Sequence, residues 1–362
     1  MSERYPMLEI KYDHLVSNVK TIISRCNALS IDVTGVYKGT SGNVKVAQAF
    51  VEGGCKSIAS SRINELKDAR ENGIKAKLVL IRIPMLSEVT DVVNYSDASL
   101  ESELEVIKAI NDEAKKQNKV HDIILMADIG DLREGFWDKD EMADVSLFIE
   151  DNLKNVHLKG IGTNVGCYGS VLATKSKLNE LVDVAEKIEE KIGRKLEIIS
   201  GGATSSYMRV LDKDIPKRIN HLRIGEEILL ARDLDMVYHY KDPDIYQDVF
   251  TLKAEVIEVK RKPTHPVGEL AVDAFCRTPE YEDRGIRERA LLGIGRADFA
   301  YLEELIPNEE GIEVIGASSD HTIIDIEDAK REIKVGDIVE FKMNYALLLF
   351  LTHSENVNIK YI

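Results

Sequence analysis

Between residues 31 and 231, short apolar runs alternate with longer segments in which apolar residues recur at helical spacing. The runs read VTGVY, SIAS, KLVLI, DASL, DIILMAD, LKGIGTN, LEIIS and HLRIG, and residues 102–117 and 175–192 are typical of the segments between them. Short aliphatic runs suit buried strands, and the 3.6-residue recurrence suits helices that cover them. Strands alternating with helices give parallel βα units, and roughly eight units over about 200 residues predict a closed (β/α)8, TIM-type barrel. An open doubly wound sheet is the competing topology, but its GxGxxG fingerprint is missing: in GIGTNVG, residues 160–166, the third glycine falls one position late.

Beyond Asp233 the period changes to two. VFTLKAEVIEVKRKP, ELAVDAF, RALLGIGRADF, GIEVIGASSDHTIIDI, GDIVEFKM and ALLLFLTH read as strands joined by turn residues. A barrel over residues 12–240 is therefore expected to be followed by a mostly-β domain over 241–362, with KDPD at the junction. Residues 7–11, MLEIK, suit a strand added to that second domain.

The 362 residues, 44% of them hydrophobic, are enough for two packed domains. With 48 basic and 63 acidic side chains the net charge is -15, which argues against nucleic acid or an anionic membrane as partner and leaves small molecules. The four cysteines, Cys26, Cys55, Cys167 and Cys276, show no CxxC spacing, so neither a zinc site nor a disulfide framework is expected. The charged start and the lack of any run near the ~18 apolar residues of a membrane span point to the cytoplasm.

Candidate chemistry begins at SIDVTGVYKGTSG, where a β-branched run ends in Lys38 and glycines follow. A lysine at the C-terminal end of a barrel strand stands where barrel enzymes keep their chemistry, and a partly desolvated amine is a nucleophile able to form a Schiff base. A solvated loop lysine is the bland alternative. Further on, SGGATSS (200–206) and RIGEE (223–227) follow the seventh and eighth runs. Glycines and hydroxyls beside a helix start supply the parts of a phosphate cradle, although the same serines would also serve as helix caps.

This ordered series resembles the alanine racemase-like pyridoxal phosphate enzymes of fold type III, a barrel followed by a β-domain, and its wording is closest to their ornithine racemase branch. The resemblance implies that Lys38 carries pyridoxal 5'-phosphate as an aldimine and serves as a base on one face of Cα. It implies that Arg133, in ADIGDLREGF, steadies the cofactor and the substrate carboxylate. A surface arginine paired with Glu134 is the plainer reading of that residue. Alanine racemases commonly carry a modified lysine seven residues earlier, and Met126 stands there, so something else must hold Arg133. Asn164 matches the position under the pyridine ring, or else makes an Asx-turn.

The phosphate set is Thr204, Ser205, Gly225 and Glu226, the last two through backbone N–H groups, with His353 or Ser354 added from LTHSE. Arg223 would face the pyridine nitrogen as a permanent donor, which favours proton exchange over deeper carbanion chemistry; a barrel-bottom salt bridge is its alternative. Racemisation needs a second acid/base on the other face, supplied in the family by a partner subunit, which implies a homodimer. Asp273 falls near that position, with Cys276, His265 and Tyr281 close by. Ser319, Asp320, Glu282 and Asp283 are candidates for the substrate's carboxylate and distal ammonium, and Arg296 replaces a gate tyrosine. The expected activity is ornithine racemisation, with an alanine or broad-range racemase, or a non-catalytic cofactor carrier, as alternatives.

Overall fold

The computed structural model describes residues 3–273, 275–278 and 280–362. It divides into two compact units, one of residues 13–247 and one of residues 1–12 with 248–362.

In the first unit eight parallel strands close into a barrel: β2 (Asp32–Val36), β3 (Ser57–Ser60), β4 (Lys77–Leu80), β5 (Ala98–Glu101), β6 (His121–Met126), β7 (Val156–Gly162), β8 (Ile198–Ser200) and β9 (His221–Ile224). Closure comes from β2 against β9, where Asp32 faces His221 and Thr34 faces Arg223. Alternate residues point inward, so Val36, Ala59, Val79 and Ala98 form one interior layer, and Leu100, Ile124 and Met126 form another. The covering helices follow the same logic. Lys175–Ile192 buries Leu178, Leu181, Val184, Ala185 and Ile188 at helical spacing, starts where Thr174 accepts a hydrogen bond from Lys177 N, and stops at Gly193 with φ 73°.

The second unit is a mostly antiparallel sheet built on the 14-residue strand β10 (Phe250–Pro263). β1 (Met7–Ile10) lies antiparallel to the start of β10 and parallel to β16 (Asn358–Tyr361). β11 (Ile286–Leu292), β12 (Ile306–Pro307), β13 (Glu313–Ala317), β14 (Thr322–Asp325) and β15 (Ile338–Lys342) complete it in the order β12-β15-β10-β11-β14-β13. A register shift between Val256 and Glu258 marks where β10 takes β11 as neighbour.

Two runs expected as strands are not. ALLLFLTH lies in the helix Tyr345–Leu351, which Asn344 caps by accepting from Leu347 N and which buries Leu347, Leu348 and Leu351. Alanine and three leucines in a row favour a helix once a cap is present. ELAVDAF makes no strand among its described residues; Leu270 is 53% and Val272 60% exposed, so its alternation has no neighbouring face to pack on.

Candidate active site

β2 ends at Val36, and Lys38 opens a 3-10 turn, Lys38–Thr40. The turn is fixed from both sides: Tyr37 donates its hydroxyl to Glu65 O (2.9 Å) and Thr40 Oγ1 donates to Tyr37 O (2.8 Å). Ser41 N donates to Lys38 O (3.1 Å), and Asn43 caps the helix that follows. Lys38 is thus held half-buried where β2 leaves the barrel. Burial leads in pulling its amine below the usual lysine range, helped by Arg133 and Arg223 and opposed by Cys167 and Glu134. A lowered amine is the form that attacks carbonyls and accepts protons.

Arg133 comes from the loop after β6, which is built rigidly. Phe136 N donates to Met126 O (2.8 Å) and Asp128 N to Phe136 O (3.1 Å), while Asp128 Oδ1 accepts from Gly130 N (2.8 Å) and Leu132 N (3.2 Å). Gly135 has φ +121°, and a Cβ there would stand 2.6 Å from Asp128 N, so no other residue fits. Lys139 Nζ donates to the carbonyls of Asp128 (2.5 Å), Phe136 (2.6 Å) and Trp137 (2.8 Å). Buried Asp131 ties this loop to the one after β7 by accepting from the N–H groups of Cys167, Tyr168 and Gly169.

The guanidinium so placed donates from Nη1 to Cys167 Sγ (3.0 Å) and from Nη2 to Glu134 Oε1 (2.9 Å), and its Nε pairs with Glu134 Oε2. The plainer reading of Arg133 as a partner of Glu134 therefore holds as geometry. Glu134 reaches further, because its Oε1 also accepts from Asn164 Nδ2. Asn164 Oδ1 accepts from Arg223 Nη2 (2.7 Å), so Asn164 bridges two sides of the site. Met126 is fully buried and lies in the interior layer with Leu100 and Ile124.

Arg223, 3% exposed, also donates to Thr163 O (2.6 Å) and to Ser200 Oγ. No carboxylate contacts it among the described residues, so the barrel-bottom salt bridge is not what it makes. Burial pushes its pKa down to about 10. Behind it, Ser200 Oγ lies 2.8 Å from His221 Nδ1, His221 Nε2 lies 2.8 Å from Thr34 Oγ1, and Thr34 Oγ1 lies 2.7 Å from Ser57 Oγ. Since Arg223 only donates, Ser200 accepts from it and its hydroxyl is free to donate a hydrogen bond to His221 Nδ1. Burial drives His221 down to about 3, so the imidazole is neutral.

Gly202, with φ +112°, begins the cradle after β8, and the 3-10 turn Thr204–Ser206 follows. Thr204 Oγ1 accepts from Glu227 N (3.3 Å), Ser205 Oγ donates to Val165 O (2.6 Å), and Ser206 Oγ donates to Gly201 O (2.6 Å). Gly225 packs so closely on β2 that a Cβ would stand 2.7 Å from Val36 O. The Glu226 carboxylate turns to Arg232 N (3.0 Å) and Asp233 N (3.1 Å), leaving only its backbone for an anion. Glycines, hydroxyls and two short helix starts beside a cationic pocket fit a phosphate ester attached to an aromatic ring.

The remaining candidates lie in the second unit. Asp273 Oδ1 accepts from Phe275 N (2.8 Å) and Arg277 N (2.9 Å), a turn that carries Cys276, an exposed free thiol. Those backbone bonds, the one from Arg277 first, hold Asp273 below the usual carboxylate range. Phe275 lies under the Arg296 guanidinium at 5.2 Å, and Arg296 N donates to Ser318 O (2.9 Å). Ser319 Oγ donates to Asp320 Oδ2 (2.6 Å). The structure thus gathers Asp273, Cys276, Arg296, Ser319 and Asp320 on neighbouring turns. Asp283 accepts from Gly285 N (3.0 Å) and Glu282 stands 3.9 Å from Arg284, both on the surface. His265 and Tyr281 meet edge to face at 6.1 Å. His353 is exposed, whereas Ser354 donates to buried Asp298 (2.6 Å).

Asp131, Lys139 and His221 were not singled out by the sequence, and Glu134, Cys167 and Ser200 were named without the contacts they make. Serine and histidine at inward positions of β8 and β9, where barrels favour Val, Ile and Leu, were the one available signal.

The family model of the alanine racemase N-terminal domain matches residues 10–232. The chain is 40% identical over 346 residues to the ornithine racemase of Acetoanaerobium sticklandii, covering 95% of this chain and 96% of that one. It is 36% identical over 347 residues to the lysine racemase of Thermotoga maritima, covering 95% of each. The alanine racemase of Bacillus anthracis with bound L-Ala-P superposes with a TM-score of 0.77 at 16% identity, over 100% of this chain and 96% of that one. With the family model matching residues 10–232 and two racemases at 36–40% identity over 95% of its length, the chain belongs to the alanine racemase family.

Proposed function

We propose that this amino-acid racemase interconverts L- and D-ornithine with pyridoxal 5'-phosphate as cofactor. The observation that carries the cofactor assignment is the half-buried Lys38 amine, held on a fixed turn and drawn down in pKa beside two arginines and a glycine-hydroxyl cradle. Two relatives at 40% and 36% identity that bear the names of ornithine and lysine racemases support a diamino acid as substrate.

When bound, the cofactor withdraws electrons from Cα and makes its proton acidic. Thr204, Ser205 and the backbone of Gly225 and Glu226 would hold the phosphate, with the Ser205 hydroxyl turning from Val165 to do so; His353 is a further candidate. Arg133 would bind the substrate carboxylate with its planar fork. Arg223 and Asn164 would meet the ring, and Arg223 can only donate there. Lys38 accepts or returns a proton on one face of Cα, and the turn of Asp273 and Cys276, from a second copy of the chain, supplies the other. The active form on this reading is a cytoplasmic homodimer with shared sites. Ser319 would meet the substrate carboxylate through its backbone N–H, and Asp320, Glu282 and Asp283 are the candidates for the distal ammonium.

Proton NMR of L-ornithine, L-lysine and L-alanine in D2O with cofactor-loaded protein, read with polarimetry, tests this. Loss of Cα–H and of rotation is expected for ornithine and, more slowly, lysine, and Lys38→Ala should abolish both. Equal rates with alanine would replace the diamino assignment by a broad range. Cofactor absorbance without exchange of any substrate would leave a carrier.

A further inference from the structure

The two arginines of the barrel mouth carry permanent charge and only donate hydrogen bonds, and the Lys38 amine stands beside them. Such a set needs an anion that does not leave with the substrate. Glu134 is placed for this. Its side chain is 17% exposed against 41% for Arg133, and its negative charge acts on Lys38, Arg133 and Arg223 alike. An exposed ion pair contributes little, but this carboxylate is half-sequestered and accepts three donors. Arg133 Nη2 and Asn164 Nδ2 converge on Oε1, and Arg133 Nε meets Oε2.

The direction of the hydrogen bonds makes the identity of residue 134 specific. Arg223 donates to Asn164 Oδ1, which fixes the amide so that Nδ2 must donate to Glu134. Arg133 donates to the same carboxylate from the other side. The sequence Arg223, Asn164, Glu134, Arg133 closes only if residue 134 accepts at both oxygens. A glutamine would set an N–H against Arg133 Nε, or else against Asn164, whose inversion would take Oδ1 away from Arg223.

We propose that Glu134 is a positioning residue of the racemase: it fixes the orientation of Arg133 and, through Asn164, couples it to Arg223. This rests on the reading of Arg133 as ligand to the cofactor and the substrate carboxylate.

The test is a double-mutant cycle of Glu134→Gln and Arg133→Ala, with Glu134→Asp as conservative variant. It reads cofactor affinity by absorbance titration of the apoenzyme, KM and kcat for ornithine, and melting of the apoenzyme. Expected for Glu134→Gln are cofactor affinity lowered and KM raised by about 10- to 100-fold, the scale of a lost charge-assisted hydrogen bond, with apoenzyme melting unchanged and partial recovery in Glu134→Asp. In the Arg133→Ala background the same change should add almost nothing. Wild-type affinity and KM in Glu134→Gln, or an undiminished penalty in the Arg133→Ala background, would overturn the proposal and leave the reading of Arg133 intact. An Arg133→Ala enzyme of wild-type KM and cofactor affinity would overturn both.

Discussion

Asn164 stands between Arg223 and Glu134, accepting from the arginine at 2.7 Å and donating to the carboxylate. Arg223 is left with three acceptors on two strand ends: Thr163 O and Asn164 Oδ1 after β7, and Ser200 Oγ at the end of β8. A buried guanidinium without a carboxylate contact is stable only while all of these are in place. Lysine has no planar fork and cannot meet the same three acceptors. Arg223→Lys is therefore expected to destabilise the apoenzyme by about 1–3 kcal/mol, the cost of stranding a buried acceptor, and to weaken cofactor binding. Chemical denaturation and cofactor titration would check this, and wild-type values in both would show that the three acceptors do not define the site.

Lys139 closes the loop that carries Arg133 by donating to three carbonyls. Methionine keeps the aliphatic stem and removes the donors, so Lys139→Met takes one donor from each of those carbonyls at a partly wet position, while Phe136 O keeps Asp128 N. Expected is a modest loss of stability, about 1–2 kcal/mol, with KM raised about tenfold because Arg133 is less well placed. A drop in kcat at constant KM would point away from a loop that orients the substrate carboxylate.

The barrel was legible because its strands and helices obey separate periods, and each of the eight runs contains or overlaps one of the strands β2 to β9. Lys38 stood out at the end of an apolar run, whereas Arg133 and Arg223 were named through the family resemblance; the structure sets both near the Lys38 amine. What joins them was not. Glu134 lies next to Arg133 in sequence, but its contact with Asn164 spans 30 residues and depends on the loops after β6 and β7 meeting. Asp131 makes them meet, through three N–H groups whose donors carry no side-chain signal. The terminal helix was misread because hydrophobic runs do not distinguish a short buried helix from a strand; the cap at Asn344 decides.

Glu101 ends β5 with Oε1 accepting from Ser99 (2.6 Å) and Oε2 without a partner. Burial pushes its carboxyl up to about 8 from 4.5. Below pH 4.5 the folded and unfolded chains both hold this proton. Between 4.5 and 8 the unfolded chain releases it while the folded one keeps it, so stability falls as pH rises through that window. Glu227, raised to about 8, and Glu226, raised to about 7, act in the same sense. Glu101→Gln keeps the acceptor for Ser99 and has no proton to lose. The variant should nearly match the wild type at pH 4.5 and exceed it by on the order of 4–5 kcal/mol at pH 8.5. Denaturation curves at the two pH values would decide, and parallel pH profiles would exclude Glu101 as a source of the slope.

Asp273 and Cys276 share one turn, and their chemistry separates them as candidates for the second acid/base. Asp273 accepts two backbone N–H groups at Oδ1 and is held ionised, which suits a turn former and handicaps a group that must also deliver a proton to Cα. Cys276 is an exposed cysteine with φ 58°, and a cysteine can accept a proton as thiolate and return it as thiol. Asp273→Asn preserves the oxygen that closes the turn, so it should retain racemisation within about threefold. Cys276→Ala should leave Cα–H exchange of one enantiomer on the Lys38 face while slowing interconversion by about 100-fold or more, the scale of a lost general acid/base. Exchange in D2O, followed separately from L- and D-ornithine, distinguishes the two. An inactive Asp273→Asn with an active Cys276→Ala would reverse the assignment, and full activity in both would move the second base off this turn.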